Sequence, residues 1–310
     1  MRYVTISELS EMIRNNLWKI PHDIDLVVGI PRSGLMVANM VALYLNKRLS
    51  DIDSFVSGYI YGYGDRRAKL MNNTTIKKVL IVDDTVQNGD TITSAKEKIS
   101  PLGNKYQFVF FAPITSSKGI NHLDCTCEII DDVRLFEWNL FHRTYVSESC
   151  FDLDGVLCPD PPTDDDGPIY TDYIKNAPLL FAPSCTIDTI ISCRLEKYRK
   201  ITEQWLLSNN IKYNNLVLLD LPDRKSRIEW GKYGEYKGEY YKQRASSWLF
   251  FESSPKQAET IASISNKHVI CTSTNQLICP KQMSTNKSKL WIKERFPNLS
   301  YIYRKIISHF

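Results

Sequence analysis

VLIVDDTVQNGDT, Val79–Thr91, is the stretch on which the reading of the amino-terminal half turns. Val79–Val82 form a short apolar run of the kind buried in a parallel sheet. Asp83 and Asp84 stand where that strand ends. Thr85, Val86, Gln87, Asn88, Gly89, Asp90 and Thr91 follow as a polar loop, and a helical pattern comes next. A loop of this composition ahead of a helix turns backbone N–H groups inward, and the helix dipole adds partial positive charge, so the segment reads as a phosphate nest. The paired carboxylates can accept hydrogen bonds from two neighbouring sugar hydroxyls. A phosphate at one end and a vicinal diol at the other describe a ribose 5-phosphate.

Working outward, DLVVGI (Asp25–Ile30) is a second buried strand. It runs into Pro31-Arg32-Ser33-Gly34 and an apolar helix, LMVANMVALYL. YQFVFFA (Tyr106–Ala112) is a third. Strand, loop and helix in repetition predict a doubly wound parallel α/β sheet with its site at the carboxyl ends of the strands. At this point VLIVDDTVQNGDT resembles the diphosphoribosyl-binding motif of type I phosphoribosyltransferases, over about residues 20–135. The resemblance implies that Asp83 and Asp84 hold the ribose hydroxyls of phosphoribosyl diphosphate and that residues 85–91 hold its 5-phosphate. GIPRSG, Gly29–Gly34, resembles the family's pyrophosphate loop, which puts Arg32, Ser33 and Gly34 at the leaving group. GYIYGYGDRRAKL (58–70) occupies the place of the family's mobile catalytic loop, where Arg66, Arg67 and Lys69 would close over the pyrophosphate with Mg²⁺.

The second half begins near Ser147, and the reading sets two domains, 1–147 and 148–310. CFDLDGVL (Cys150–Leu157) is a strand ending in Asp152 and Asp154, with Gly155 for the turn. Two carboxylates this close repel unless a cation lies between them, and Mg²⁺ resolves that while binding a phosphate. One carboxylate can then attack phosphorus and the other can shuttle a proton. FDLDGVL resembles the first motif of haloacid dehalogenase superfamily phosphatases, and the resemblance covers about 148–280, with a small cap. It implies Asp152 as nucleophile and Asp154 as general acid/base. It also implies Ser192, at the end of TIDTIIS, as the phosphoryl-holding hydroxyl, with Arg194 following, and Lys237 (Lys242 the rival) as the lysine. Asp152, Asp154 through its backbone carbonyl, and Glu252 are the implied Mg²⁺ ligands. Ser253 stands where that family commonly has a second acid. The DDD run at 164–166 reads as a solvated loop.

Composition sets the outer bounds. At 43% hydrophobic and 24% charged residues, both halves can bury ordinary cores, which excludes disorder. No apolar run reaches the roughly 18 residues of a membrane span. Glu8 and Glu11 interrupt any signal-peptide core. Eight scattered cysteines suit a reduced, cytoplasmic chain. Residues 281–310 carry Lys281, Lys287, Lys289, Lys293, Arg295, Arg304 and Lys305 against Glu294. That net of +6, against +4 for the whole chain, leaves −2 for residues 1–280. This segment reads either as a solvated helix packing its aromatics or as contact with an anionic partner, such as the inner face of a membrane or a lipid-linked phosphate. A nucleic-acid partner is not expected, because nothing else is basic enough to follow a backbone.

A transferase that leaves a 5-phosphate on its acceptor, joined to a phosphatase that removes it, has a ribofuranoside as net product. Such pairs resemble the ribofuranose-adding enzymes of bacterial surface-polysaccharide synthesis, which implies a glycan or lipid-linked glycan acceptor. Two other readings remain open: a nucleobase salvage transferase with an attached nucleotidase, and a non-catalytic regulator that senses phosphoribosyl diphosphate.

Overall fold

The computed structural model describes residues 1–62, 75–161 and 166–279. Arg66, Arg67, Lys69, Asp164, Asp165 and the basic segment 281–310 lie outside the described residues. The chain forms two compact units, Met1–Trp138 and Asn139 onward. Within the described residues no helix is long and apolar enough to cross a membrane.

The first unit contains β1 (Arg2–Val4), α1 (Ile6–Asn15), β2 (Leu26–Gly29), α2 (Ser33–Leu45), β3 (Arg48–Asp51), α3 (Ile52–Val56), β4 (Lys78–Val82), β5 (Thr85–Val86), α4 (Asp90–Ile99), β6 (Gln107–Thr115), β7 (Cys125–Ile129) and β8 (Arg134–Phe136). Its main sheet runs β3-β2-β4-β6-β5, with β7 also on β6, and every pairing is parallel. The strands read as unbroken apolar runs because both faces are covered. Val27, Leu80 and Val82 enter one core cluster, whereas Leu26, Val28, Val79 and Ile81 enter the other. Alternate residues of one strand thus feed opposite cores. Each of these fully buried side chains contributes about 1.5–3 kcal/mol. Gly29 pairs with Val82 in the β2–β4 register, so the loops after these two strands leave the sheet side by side. Separately, β1 and β8 form a two-stranded parallel ribbon.

The second unit contains β9 (Ser149–Phe151), α5 (Gly167–Asn176), β10 (Ile187–Leu195), α6 (Arg199–Ser208), β11 (Tyr213–Leu219), α7 (Arg224–Trp230), α8 (Tyr233–Gln243), β12 (Leu249–Glu252), α9 (Pro255–Ser265), β13 (His268–Cys271) and β14 (Gln276–Ile278). The strand order is β11-β10-β9-β12-β13-β14. All neighbours are parallel except β13 and β14. The sequence reading divided the domains after residue 147, whereas the units divide after Trp138. Residues 139–148 fold as short 3₁₀ turns that bond into the second unit. Phe141 O accepts Ser184 N at 3.1 Å and Glu148 O accepts Trp248 N at 3.0 Å.

Helix α8 is fixed at its carboxyl end by a single ammonium. Lys267 Nζ donates to the carbonyl oxygens of Tyr241, Arg244 and Ser247 at 3.0, 2.6 and 2.9 Å. Tyr241 O and Arg244 O also accept the amides of Arg244 and Ser247 at 3.1 Å, and the ammonium adds a charged donor to each. Charge-assisted bonds of this kind contribute about 1.5–3 kcal/mol. Lys267→Met is therefore expected to lower stability by about 2–3 kcal/mol, seen as a lower urea midpoint at unchanged slope.

Candidate functional site

At the first site the strand ends bring the predicted residues together. Asp83 and Asp84 follow β4 and are both buried, 6% and 5% exposed. Asp83 Oδ1 accepts the backbone N–H of Asp84 at 2.9 Å, which fixes its rotamer. Burial, and then the neighbouring Asp84 carboxylate, push Asp83 up to about 7. Gln87, Asn88, Asp90 and Thr91 are exposed along the loop that opens α4. Helix α4 begins at Asp90, within the stretch that the sequence reading took as loop. From the other strand, Gly34 in the first turn of α2 comes flush against this pair. A Cβ there would lie 2.8 Å from Asp83 Oδ1 and 2.9 Å from Val82 O, so only glycine fits. Arg32 is exposed at the start of α2, after a cis Pro31–Arg32 peptide, with Ser33 beside it.

Two contacts in this site carry no signature in the sequence. Trp138 Nε1 donates to Asp84 Oδ2 at 2.8 Å, and Arg134 Nη1 donates to Thr85 Oγ1 at 3.1 Å. Both come from β8 and the turn after it. Sequence reasoning saw only an aromatic stretch there, because the partners lie about fifty residues earlier.

The second site gathers around a lysine. Asp152 follows β9 and Glu252 ends β12. These strands pair in parallel with Phe151 opposite Phe251, so the two carboxylates emerge as neighbours. Lys237 Nζ reaches in from α8 and donates to Asp152 Oδ2 at 2.6 Å and Glu252 Oε2 at 2.7 Å. All three residues are at least 95% buried. Burial works against the Lys237 ammonium, but Asp152 and Glu252 outweigh it and raise its pKa. Burial also drives Asp152 up to about 8, against the pull of Lys237 and with the push of Glu252. Two carboxylates face one ammonium here, and that imbalance is what a further cation would relieve. Lys242, the rival, is exposed.

Asp154 has a cationic partner of its own. Arg194, 1% exposed, holds it through Nε (3.0 Å to Oδ2) and Nη2 (2.6 Å to Oδ1). The Asp154 backbone carbonyl lies 3.5 Å from Ser253 Oγ, and the residue lines the same cleft as Asp152 and Glu252. Among the described residues no three acidic, His or Cys side chains converge as a metal cage. The implied donors are accordingly two carboxylates and a carbonyl, hard oxygens of the kind that suit Mg²⁺ with water completing the shell. Gly155 (φ +77°) makes the turn, and a Cβ there would sit 2.2 Å from Ser253 Oγ. A small residue at 253 goes with that close approach.

Ser192 was expected at a strand end. It lies instead inside β10, where the register against β11 shifts between Ile191 and Leu195. That irregularity brings Ser192 to the wall of the cleft with Asp152, Asp154, Lys237 and Glu252, a space of about 680 Å³. Its Oγ accepts the N–H of Arg194 at 3.2 Å. The i, i+2 spacing of Ser192 and Arg194 in a strand was the available signal that both serve one face. Asp166, the described member of the DDD run, caps α5 and pairs with Lys197 at 2.7 Å.

The Asp83 shift has a consequence for stability. Its folded-state pKa, about 7, exceeds the ordinary 3.8, so between these values the folded chain binds more protons than the unfolded one. Stability contributed by this group is full below about pH 4 and falls as pH rises to about 7. Asp83→Asn removes the buried charge. Relative to the wild type it should gain stability of the order of 2–4 kcal/mol between pH 4 and pH 8, measured by urea unfolding at both pH values.

Comparison with known proteins bears on the first unit. Residues 3–142 match the family model described as the phosphoribosyl transferase domain. The transcriptional regulator GfcR of Methanococcoides burtonii is 31% identical over 104 residues, a stretch that covers 31% of this chain and 47% of that protein. The chain thus spans about half the length of this curated relative. Similar solved structures include the purine phosphoribosyltransferase of Pyrococcus horikoshii Ot3, 20% identical with a TM-score of 0.31. That match covers 44% of this chain and 91% of that one. The xanthine-guanine-hypoxanthine phosphoribosyltransferase of Helicobacter pylori is 14% identical with a TM-score of 0.34, covering 44% and 93%. The amino-terminal segment of this chain, residues 3–142, is thus similar to a phosphoribosyl transferase domain.

Proposed function

We propose that the chain is a bifunctional enzyme. It transfers ribose 5-phosphate from phosphoribosyl diphosphate to a glycan acceptor and then removes the 5-phosphate. The product is a β-ribofuranoside for surface polysaccharide. One observation carries the reading: a chain whose first unit gathers Asp83, Asp84 and the start of α4 at its strand ends also holds, in its second, a cleft of about 680 Å³ with Asp152, Lys237 and Glu252 in its wall. A salvage enzyme would gain nothing from destroying its own nucleotide. A two-step glycosylation gains a high local concentration of its intermediate from the covalent link.

In the first step Asp83 and Asp84 accept hydrogen bonds from the ribose 2- and 3-hydroxyls, and the loop at 85–91 receives the 5-phosphate. The acceptor oxygen attacks C1 as the C1–O bond to pyrophosphate breaks, and the acceptor proton leaves to solvent or base. Attack opposite the α-diphosphate gives the β-linkage. Arg32 is suited to the departing pyrophosphate, and Arg66 and Arg67 are proposed to close on it. In the second step an oxygen of Asp152 attacks phosphorus and the sugar 5-oxygen leaves with a proton from Asp154. Water, deprotonated by Asp154, then hydrolyses the aspartyl phosphate. Lys237 and Ser192 hold the transferring phosphoryl oxygens, and Arg194 keeps Asp154 in place. Mg²⁺ would be held by Asp152, the Asp154 carbonyl and Glu252 in the second unit, and with the donor diphosphate in the first. It supplies neutralisation of phosphate charge. A haloacid-dehalogenase-type second unit is supported by this placement of acids, serine and lysine around one cleft. The basic segment 281–310 is proposed to favour a lipid-linked acceptor at the inner face of the membrane.

The likeness to GfcR favours a second reading, a regulator that binds phosphoribosyl diphosphate without turning it over. Incubation with the donor, Mg²⁺ and a panel of glycan acceptors separates the two. The enzyme releases pyrophosphate and yields acceptor plus ribose phosphate, then acceptor plus ribose, by mass spectrometry; the regulator binds donor and releases none. Asp152→Asn should accumulate the phosphorylated intermediate with at least a hundredfold loss of the second step. Asp83→Asn with Asp84→Asn should abolish pyrophosphate release, since both diol acceptors lose their charge.

A further inference from the structure

The donor-binding loop is held in part by its own amides and in part by the adjacent strand. Asp83 is fixed by the next residue's amide, and the Val86 carbonyl receives the Thr115 hydroxyl at 3.1 Å from the adjacent strand β6. Asp84 is different. The hydrogen bond shown for its carboxylate comes from Trp138, 54 residues away. The indole is half-buried and stacks on Phe136, with centroids 4.7 Å apart and planes 20° from parallel. Phe136 is 4% exposed and belongs to β8, which pairs with β1 through Val4 opposite Phe136. The ring is therefore held by packing, and only its N–H edge is directed at the carboxylate. A second contact from the same segment, Arg134 to Thr85, grips the next residue of the loop.

From this geometry we propose that Trp138 is a positioning residue for the donor site. Its N–H sets the rotamer of Asp84, so that one carboxylate oxygen is occupied and the other is presented to the ribose diol. A freely rotating carboxylate would lose conformational entropy on meeting the sugar, and the indole removes that cost beforehand. It also satisfies a lone pair that burial would otherwise leave without a partner. The β1–β8 ribbon thereby acts as a brace on the loop from outside the main sheet. The proposal rests on the reading of the first unit as a phosphoribosyl diphosphate site.

The test uses the full chain, phosphoribosyl diphosphate with Mg²⁺ as probe, and calorimetric dissociation constants. Trp138→Phe keeps an aromatic ring on Phe136 and deletes the N–H. It should weaken donor binding about tenfold or more, as expected for a lost hydrogen bond to a charged group. The discriminating measurement is the double-mutant cycle with Asp84→Ala. Once Asp84 is absent the indole has nothing to orient, so Trp138→Phe should cost less than about twofold further. Additive losses would mean that Trp138 merely packs, and the proposal falls. Wild-type affinity in Trp138→Phe also overturns it and leaves the donor site standing. Failure of the wild type itself to bind the probe removes the donor-site reading. Should Trp138→Phe lose its cooperative thermal transition, Trp138→Leu enters the same cycle with the same criteria.

Discussion

Carboxylates buried at the carboxyl ends of parallel strands are the constraint around which both units are organised. Parallel strands place successive loops at one edge of the sheet, so acids that follow neighbouring strands are forced together. Taking such groups out of water is costly, and each unit offsets the cost differently. In the first, Asp83 keeps its proton to about pH 7, and backbone and indole N–H groups serve the pair. In the second, the Lys237 ammonium is sunk between Asp152 and Glu252 while Arg194 takes Asp154. A buried ion triad of this kind is poor as pure scaffolding, since apolar replacements often match or exceed it. On the proposed reading it is preorganised charge for a phosphate ester.

The arrangement also explains the division of labour among elements. Strands β4, β9 and β12 deliver acids, whereas α8 and the irregular part of β10 deliver the cationic and hydroxyl partners. Acids arrive through backbone topology and need no long reach. Lys237 arrives along a flexible stem, so its helix has to be held. The Lys267 ammonium gathers three carbonyls at the far end of that helix, and this is one such restraint.

Much of this was legible in the sequence, for a local reason. An apolar run ending in acids and glycine declares a strand, its end and its chemistry within a dozen residues. Asp83, Asp84 and Asp152 could be named on that basis. Glu252 and Lys237 were named through the resemblance to the haloacid dehalogenase motifs, which left Lys242 as a rival. What was not legible depends on distance or on irregular backbone. Trp138 meets Asp84 across 54 residues, and no pattern in EWNL announces it. Ser192 sits inside a strand because of a register shift, which a period-two reading cannot register. The unit boundary escaped because residues 139–148 carry no glycine or serine linker, and their allegiance is decided by hydrogen bonds to residues far downstream.

The contact between Gly34 and Asp83 has a mechanical corollary. A van der Waals gap would let the α2 start settle independently of the strand end beside it, but here the backbone of one loop rests on the carboxylate of the other. A side chain larger than hydrogen at position 34 would have to push the two loops apart. On the proposed reading, with the diphosphate at one loop and the pentose at the other, the pair acts as the jaws of a fixed-width calliper rather than as two separate hands.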